Sequence, residues 1–319
     1  MSTAPYPSPD ERETRLDRAA KSASAEVVEI GRSAEGRPIR AARVPSTAPE
    51  PARVSSVAPA PARVLLCANI HGPEWIGVES ALGFLEALGR AEGDPAVLRA
   101  RAEVWVLPCL NPDGYARTFA REGRGTLAEL RTNARGVDLN RNFPRPTGGH
   151  GGLISFSGSD RLGSAFYRGQ GPLSEPETSA LDALLEAQDF HASASMHSNF
   201  GALLPPYVPS DRHAAMYRRL CGAFQGGQRA HHYPRVAARW IDTFTGELED
   251  HQHHARRTWA LCVETFSIAA SFRQHLVAPS LFWRFNPHDP RPWVESDVPA
   301  LLAYFLEALE LVRPGSQTA

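Results

Sequence analysis

The chain lacks most of what would draw it to a polyanion or into a membrane. Its 319 residues carry 34 basic and 35 acidic side chains, a formal net charge of −1. No positive excess is therefore present to hold nucleic acid or an anionic membrane surface. No run of eighteen apolar residues exists, which excludes a membrane-spanning helix of ordinary length. The opening MSTAPYPSPDERETRL has no basic start followed by an apolar stretch, so it does not read as a secretory signal. With Met1 as the true start, the expected location is cytoplasmic. Cysteines number only four, with no C-x-x-C spacing to suggest a cysteine-bound metal. Cys67, Cys109 and Cys262 lie in apolar strand-like runs and Cys221 in a helical-looking segment, so reduced, mostly buried thiols are expected. Internal repeats are absent.

What is present suits a globular protein. The hydrophobic fraction is 42% and the charged fraction 22%, and the length is enough for one large domain or two small ones. Residues 1–24 are few and polar and read as an N-terminal segment without a pro-domain. Residues 25–44 read as two short strands around the turn Ala34-Glu35-Gly36. Residues 45–62 are rich in Pro, Ala and Ser and read as an exposed loop, too early in the chain to divide two domains. Apolar runs at 63–70, 103–110, 190–196 and 258–266 read as buried strands. Helical patterns lie near 73–90 and 176–188, the second opened by the capping box Ser174-Glu175-Pro176-Glu177. A last helix at about 297–312 puts Val298, Leu301, Leu302, Phe305, Leu309 and Val312 on one face. Strands alternating with helices argue for an α/β sheet with helices packed on its faces.

Three of the strands end in residues able to bind metal. The first runs into His71-Gly72-Pro73-Glu74, the second into Asn111-Pro112-Asp113-Gly114, the third into Met196-His197-Ser198. In open α/β sheets the strand ends form the ligand crevice. A His, a carboxylate three residues on and a distant His can give zinc three ligands, leaving a fourth position open as in a catalytic site. Each piece alone has a plainer explanation, because a lone H-x-x-E is common by chance. Glu264 is more telling. A charge inside WALCVETF costs several kcal/mol unless something pairs with it, and a metal or its water is a suitable partner. The segment Arg131-Thr132-Asn133-Ala134-Arg135-Gly136-Val137-Asp138-Leu139-Asn140-Arg141-Asn142-Phe143-Pro144 sets an Asn-Arg pair beside further arginines, donors suited to a carboxylate.

HGPEW, NPDGY, RTNARGVDLNRNFP, RGQGPLSEPET, SMHS and CVETF, in this order, closely resemble the zinc carboxypeptidases of the carboxypeptidase A-like, or funnelin, group. EIGRSAEGRPI is similar to that family's start, and the resemblance covers roughly residues 25 to 270. The short chain and missing signal look most like the bacterial cytoplasmic members that act on murein peptides. The resemblance implies a single α/β domain over 25–315, with a mixed, mostly parallel twisted sheet, helices on both faces and the metal at the strand ends. It implies one Zn2+ per chain, held by His71, Glu74 and His197. Asp138 matches the carboxylate that hydrogen-bonds the first ligand histidine, Glu264 the general base and acid, and Arg131 the oxyanion-stabilising arginine. Asn140 and Arg141 match the pair that holds the substrate's terminal carboxylate. Tyr233, in HHYPRVAARWID, is the candidate for the loop tyrosine that many members place over the substrate, while Tyr207 reads as packed in a loop.

The implied partner is a peptide with a free C-terminal carboxylate, not nucleic acid or a membrane. The pocket for its last side chain is expected near Ile241 and Asp242, where an acidic Asp242 would favour a basic or amino-bearing side chain; exposure of Asp242 at the surface is the plainer alternative. His251-Gln252-His253-His254 reads as a solvated helix face or loop, with a second metal site as the sharper alternative. Two other functions stand beside a peptidase. A zinc deacylase of N-acyl amino acids would share the metal ligands, yet the DLNRNF-type segment argues for the peptidase branch. A non-catalytic binding protein on the same fold would be expected to lack a ligand or the glutamate, and none is missing here.

Overall fold

The computed structural model describes residues 3–48, 61–90, 92–146, 158–236 and 246–315. Seven strands form one sheet: β1 (Glu26–Arg32), β2 (Pro38–Val44), β3 (Ala62–Ala68), β4 (Ala102–Leu107), β5 (Ala192–Ser198), β6 (Ala202–Leu204) and β7 (Trp259–Thr265). Their order is β1-β2-β4-β3-β5-β7-β6. The inner strands β4, β3, β5 and β7 run parallel, whereas β1 with β2, β2 with β4, and β6 with β7 are antiparallel. The sheet is thus mixed and mostly parallel in its centre, as expected, and the four apolar runs are its parallel strands.

Alternation along these strands builds two cores. Val64, Leu66 and Ala68 of β3 join Val104 and Val106 of β4 in the larger core, together with Ala192, Ala194 and Met196 of β5 and Trp259, Leu261 and Val263 of β7. The intervening residues face the other way. On β3 and β4 these are apolar: Leu65, Cys67, Trp105 and Leu107. On β5 and β7 they are Ser193, Ser195, His197, Ala260, Cys262 and Glu264. One face of the sheet therefore turns from apolar to polar where β5 meets β7, and a period of two decides which residues share that polar patch.

Helices cover both faces. Helix α2 (Trp75–Leu88) packs on β3, β4 and β5, and the last helix, α11 (Arg291–Ala308), packs on α2, β5 and β7. Helix α7 (Asp211–Gly227) lies against α11, and α8 (Leu248–His254) covers β5 and β7. The shorter helices are α3 (Gly93–Arg101), α4 (Pro112–Ala120), α5 (Leu127–Arg131), α9 (Ile268–Val277) and α10 (Leu281–Phe285). Helix α6 (Pro176–Gln188) packs on β1. No helix among the described residues is long and apolar enough to cross a membrane. All four cysteines are buried and none is in a disulfide, and burial pushes Cys67, Cys109 and Cys221 up to about 12, where a thiol is inert.

The sequence expectations need four corrections. The polar N-terminal segment holds a helix, α1 (Pro9–Ser22), with a full capping box between Ser8 and Glu11. It buries Leu16, Ala19 and Ala20, and Arg15 reaches Glu79 at 2.6 Å and Glu86 at 2.8 Å on α2. Ser174 does not cap α6. The cap position is Glu175 without a side-chain cap bond, and the Ser174 hydroxyl is engaged by Glu175 and Asn142 instead. Helix α11 starts at Arg291, six residues before the expected position, because Pro292 suits a first turn. It ends at Ala308, so Val312 falls outside it and is 50% exposed. Of the Pro/Ala-rich segment, residues 49–60 lie outside the described residues, as do Ile241 and Asp242.

One buried acid makes the fold pH-sensitive. Asp297 of α11 is fully buried, accepts from Thr265 Oγ1 at 2.7 Å and has no partner for Oδ1. Burial pushes its carboxyl up to about 7 against the opposing influence of the Thr265 bond and of the nearby Tyr233 and Ser80 hydroxyls. The folded chain therefore holds a proton that the unfolded chain, titrating near 3.8, has released. The contribution of this group is complete below the unfolded value and is lost as pH rises through about 7, a change on the order of 4 kcal/mol. Asp297→Asn is expected to flatten the decline of melting temperature between pH 5 and 8. An unchanged slope would show that Asp297 ionises freely in the folded state.

Candidate functional site

Strand β3 ends at Ala68, and the chain turns through Asn69, at φ +54°, into His71-Gly72-Pro73-Glu74. Asn69 Nδ2 donates to the carbonyl of His71 at 2.9 Å. Gly72 is required by contact: a Cβ there would lie 2.3 Å from the Leu130 carbonyl oxygen and 2.8 Å from the Gly114 backbone. Glu74 stands at the N-cap of α2. The first amides of that helix, Trp75 N–H and Ile76 N–H, donate to Asn286 Oδ1 at 2.8 and 2.9 Å. Asn286 Nδ2 in turn donates to Pro73 O at 2.7 Å, so a residue more than two hundred positions away caps the helix that carries Glu74.

His197 lies near the end of β5, in register with Glu264 on β7. His71, Glu74 and His197 are all buried, and their donor atoms lie within 4.8 Å of one another. His71 Nδ1 is 2.8 Å from Glu74 Oε1 and 3.3 Å from His197 Nδ1. Each ring has its other nitrogen occupied. His71 Nε2 faces Asp138 Oδ1 at 3.2 Å, and His197 Nε2 faces Ser195 Oγ at 3.0 Å. With a proton on each Nε2, both Nδ1 lone pairs point at each other and at a carboxylate. Glu74 Oε2 has no hydrogen-bond partner even though His197 Nδ1 is 3.3 Å away. Converging lone pairs and an orphaned carboxylate oxygen suit a bound cation, and two imidazoles with one carboxylate form a set typical of zinc. The site fits the metal.

Asp138 supports this cluster. It is fully buried, and its Oδ1 accepts from the amide of Asn140 at 3.0 Å besides facing His71. Its Oδ2 accepts from Arg131 Nε at 2.9 Å. Arg131 ends helix α5, whose capping box pairs Thr126 with Glu129, and its guanidinium lies 3.8 Å from Glu74 Oε1 and over the ring of Phe166 at 5.2 Å. Asn140 and Arg141 form the next turn, a short 3-10 helix over Leu139–Arg141. Asn140 Oδ1 accepts from Leu248 N–H at 2.9 Å, and Arg141 Nη1 is 3.3 Å from Glu247 Oε1.

Charge follows geometry. Burial opposes the Asp138 charge, but Arg131 and then His71 outweigh it and hold the carboxyl far below the usual range. Burial also opposes Glu74, yet His71 and His197 bring it down to about 2. His71 is pulled down by burial and Arg131, and Glu74 with Asp138 more than reverse this. His197 falls, mainly through burial. Glu264 rises to about 7, first through burial and then through the charge of Glu74. Glu74 and Asp138 thus hold negative charge at the histidine pair, which suits a bound cation.

Of the sequence candidates, His71, Glu74, His197, Asp138 and Arg131 come together, with Glu264 on the neighbouring strand and Asn140 and Arg141 one turn beyond Asp138. Tyr233 does not join them. Its hydroxyl bonds Thr265 Oγ1 at 2.7 Å inside the larger core, and Thr265 faces away from Glu264 because successive strand residues alternate. Tyr207 sits in a loop, as expected. The His251-to-His254 run is corrected as well. His251 to His253 are buried, with His251 on Asp182 at 2.6 Å and His253 on the Tyr217 hydroxyl at 2.8 Å. Among the described residues no set of three metal donors includes them. The sequence reading missed Asn286 and Ser195, for which no local pattern exists, and left Asn133 and Asn142 without a role although both lie in the segment it singled out.

The chain matches the family described as zinc carboxypeptidase over residues 14–266. It is 30% identical over 209 residues to carboxypeptidase D of Mus musculus, covering 59% of this chain and 14% of that protein. It is likewise 30% identical over 170 residues to carboxypeptidase O of Bos taurus, covering 51% of this chain and 43% of that protein. The chain therefore spans less than half the length of these curated relatives. Its fold is similar to that of thrombin-activatable fibrinolysis inhibitor, with a TM-score of 0.76 at 20% identity over 96% of this chain and 75% of that one. It is also similar to the carboxypeptidase A of Helicoverpa armigera, with a TM-score of 0.70 at 21% identity over 95% and 73% of the two chains. Loss of the support beneath His71 gives a direct test of the site. Asp138→Asn is expected to weaken zinc binding about 10- to 100-fold in competition with a chromophoric chelator. Parental affinity in that variant would contradict the support described here.

Proposed function

Because the chain belongs to the zinc carboxypeptidase family, we propose that it hydrolyses the peptide bond next to a free C-terminal carboxylate. One observation carries the reading. The buried His71–Glu74–His197 cluster stands beside Glu264, and a single segment brings Arg131, Asp138, Asn140 and Arg141 to it. Metal donors, a proton carrier and carboxylate-binding donors therefore share one strand-end crevice, which a purely structural metal site would not need.

His71, Glu74 and His197 would hold the zinc, and Asp138 would keep His71 in the tautomer that presents Nδ1. When bound, zinc supplies Lewis-acid polarisation of the scissile carbonyl and lowers the pKa of a water. Glu264 takes a proton from the attacking water and delivers it to the leaving amine. Its place on the polar face of β7 beside His197 and its raised pKa suit a group that must carry the proton both ways. Arg131 is oriented by its Asp138 bond and donates to the oxygen on which charge develops. Asn140 and Arg141 bind the terminal carboxylate, so the bond cut is the one next to the chain end.

The substrate is a peptide, and a murein-derived peptide is one member of that class to be tried. The test is to incubate zinc-loaded protein with peptides of varied C-terminal residue, a murein tripeptide and several N-acyl amino acids, with and without chelator. Chelator-sensitive loss of one C-terminal residue, read by mass spectrometry, is the expected result. Cleavage of the N-acyl amino acids alone would make the protein a deacylase instead. Glu264→Gln is expected to keep its zinc and lose turnover by about 10²- to 10⁴-fold. Parental turnover in that variant would refute the role given to Glu264.

A further inference from the structure

Asn142 follows Arg141 directly, has no part in the chemistry above and is buried. Its Nδ2 lies within hydrogen-bond reach of Arg168 O at 2.8 Å, Gly171 O at 2.9 Å and Ser174 Oγ at 3.0 Å. Its Oδ1 accepts from Thr178 Oγ1 at 2.6 Å and from Glu175 N–H at 3.3 Å. An amide has two donor protons and one oxygen with two lone pairs, so this side chain is saturated. The main chain adds to the hold: Asn142 N–H donates to Leu139 O at 3.2 Å, and its carbonyl accepts from Leu173 N–H at 2.6 Å. The wrap is close. A Cβ on Gly169, whose φ is +83°, would come 2.8 Å from Asn142 Nδ2.

The turn that carries Asn140 and Arg141 is only three residues of 3-10 helix, which has little stability of its own. Its direction is therefore set by what holds its ends. Asp138 holds the first, through the Asn140 amide. Asn142 holds the second, pinning it to residues 168–178, while Leu248 N–H and Gly246 O take up Asn140 and Phe143 on the other side. With all its polar atoms engaged inside the protein, the Asn142 amide has none left for a substrate.

We propose that Asn142 is a positioning residue for substrate binding: its saturated amide fixes the turn so that Asn140 and Arg141 face the terminal carboxylate of the peptide. This rests on the reading of Asn140 and Arg141 given above. The effect belongs in KM, because zinc, its ligands and Glu264 are held by other contacts.

The test measures KM, kcat and zinc content for C-terminal hydrolysis of one good peptide. Asn142→Ala is expected to raise KM about tenfold, and Thr178→Val, which removes the 2.6 Å bond to Asn142 Oδ1, about threefold. Both should keep kcat and zinc near the parent, and Thr178→Ser should restore KM. If Asn142→Ala fails to fold, the Thr178 pair decides. Arg141→Ala is run alongside. A raised KM in Arg141→Ala with a parental KM in Thr178→Val overturns the proposal and leaves the reading of Arg141 intact. So does a Thr178→Val variant whose kcat and zinc content fall together with its melting temperature. A parental KM in Arg141→Ala overturns that reading and the proposal with it.

Discussion

The Asp138 carboxyl is held far below the usual carboxylate range by Arg131 and His71, although its side chain is wholly buried. A buried carboxylate charge costs several kcal/mol unless it is opposed at close range. Here Arg131 opposes it through Nε, and His71 meets it through Nε2. Each contact has a consequence beyond cancelling charge. The first fixes the direction of the Arg131 guanidinium near Glu74. The second fixes which nitrogen of His71 is left to bind metal. The same carboxylate also accepts the Asn140 amide and so starts the turn that carries Asn140 and Arg141. One buried group therefore ties together His71, Arg131 and the start of the Asn140–Arg141 turn.

The sheet supplies the frame for this group. Parallel strands β3, β5 and β7 end at one edge, and that edge delivers His71 and Glu74, His197, and Glu264 in turn. Most polar residues of β5 and β7 share one face, where Ser195 bonds His197 and Ser193 bonds Gln252. The opposite face is apolar except at the strand ends Ser198 and Thr265, and it anchors α2 and α11. An alternation of two thus separates chemistry from packing within seven-residue strands. The exception is the Thr265–Asp297–Tyr233 network, which places a polar chain in the packing layer behind Glu264.

Much of this was legible in the sequence, and the reasons are physical. Apolar runs bounded by turn residues marked the parallel strands, since buried strands need such runs. The convergence of His71, Glu74 and His197 was legible because they sit where those runs break off, and the place of Glu264 because a charge is conspicuous inside one. What was not legible depends on contacts between distant parts of the chain. Nothing near Asn286 reveals that it caps the helix behind Glu74. Tyr233 was expected over the substrate because distance along the chain does not tell which face of β7 a loop will reach. Ser174 resembled a helix cap, yet Asn142 competes for its hydroxyl. The histidine run at 251–254 looked solvated because its partners, Asp182 and Tyr217, come from other elements.

The central claim is that His71, Glu74 and His197 together hold one zinc. A second donor set, His197 with Cys262 and Glu264, shares a ligand with the first and gives a measurable alternative. Zinc K-edge X-ray absorption on the protein loaded with one equivalent distinguishes them. The account predicts a shell of nitrogen and oxygen donors with the outer scattering of two imidazoles and no sulfur. A zinc–sulfur distance near 2.3 Å, the mark of a thiolate ligand, would contradict it.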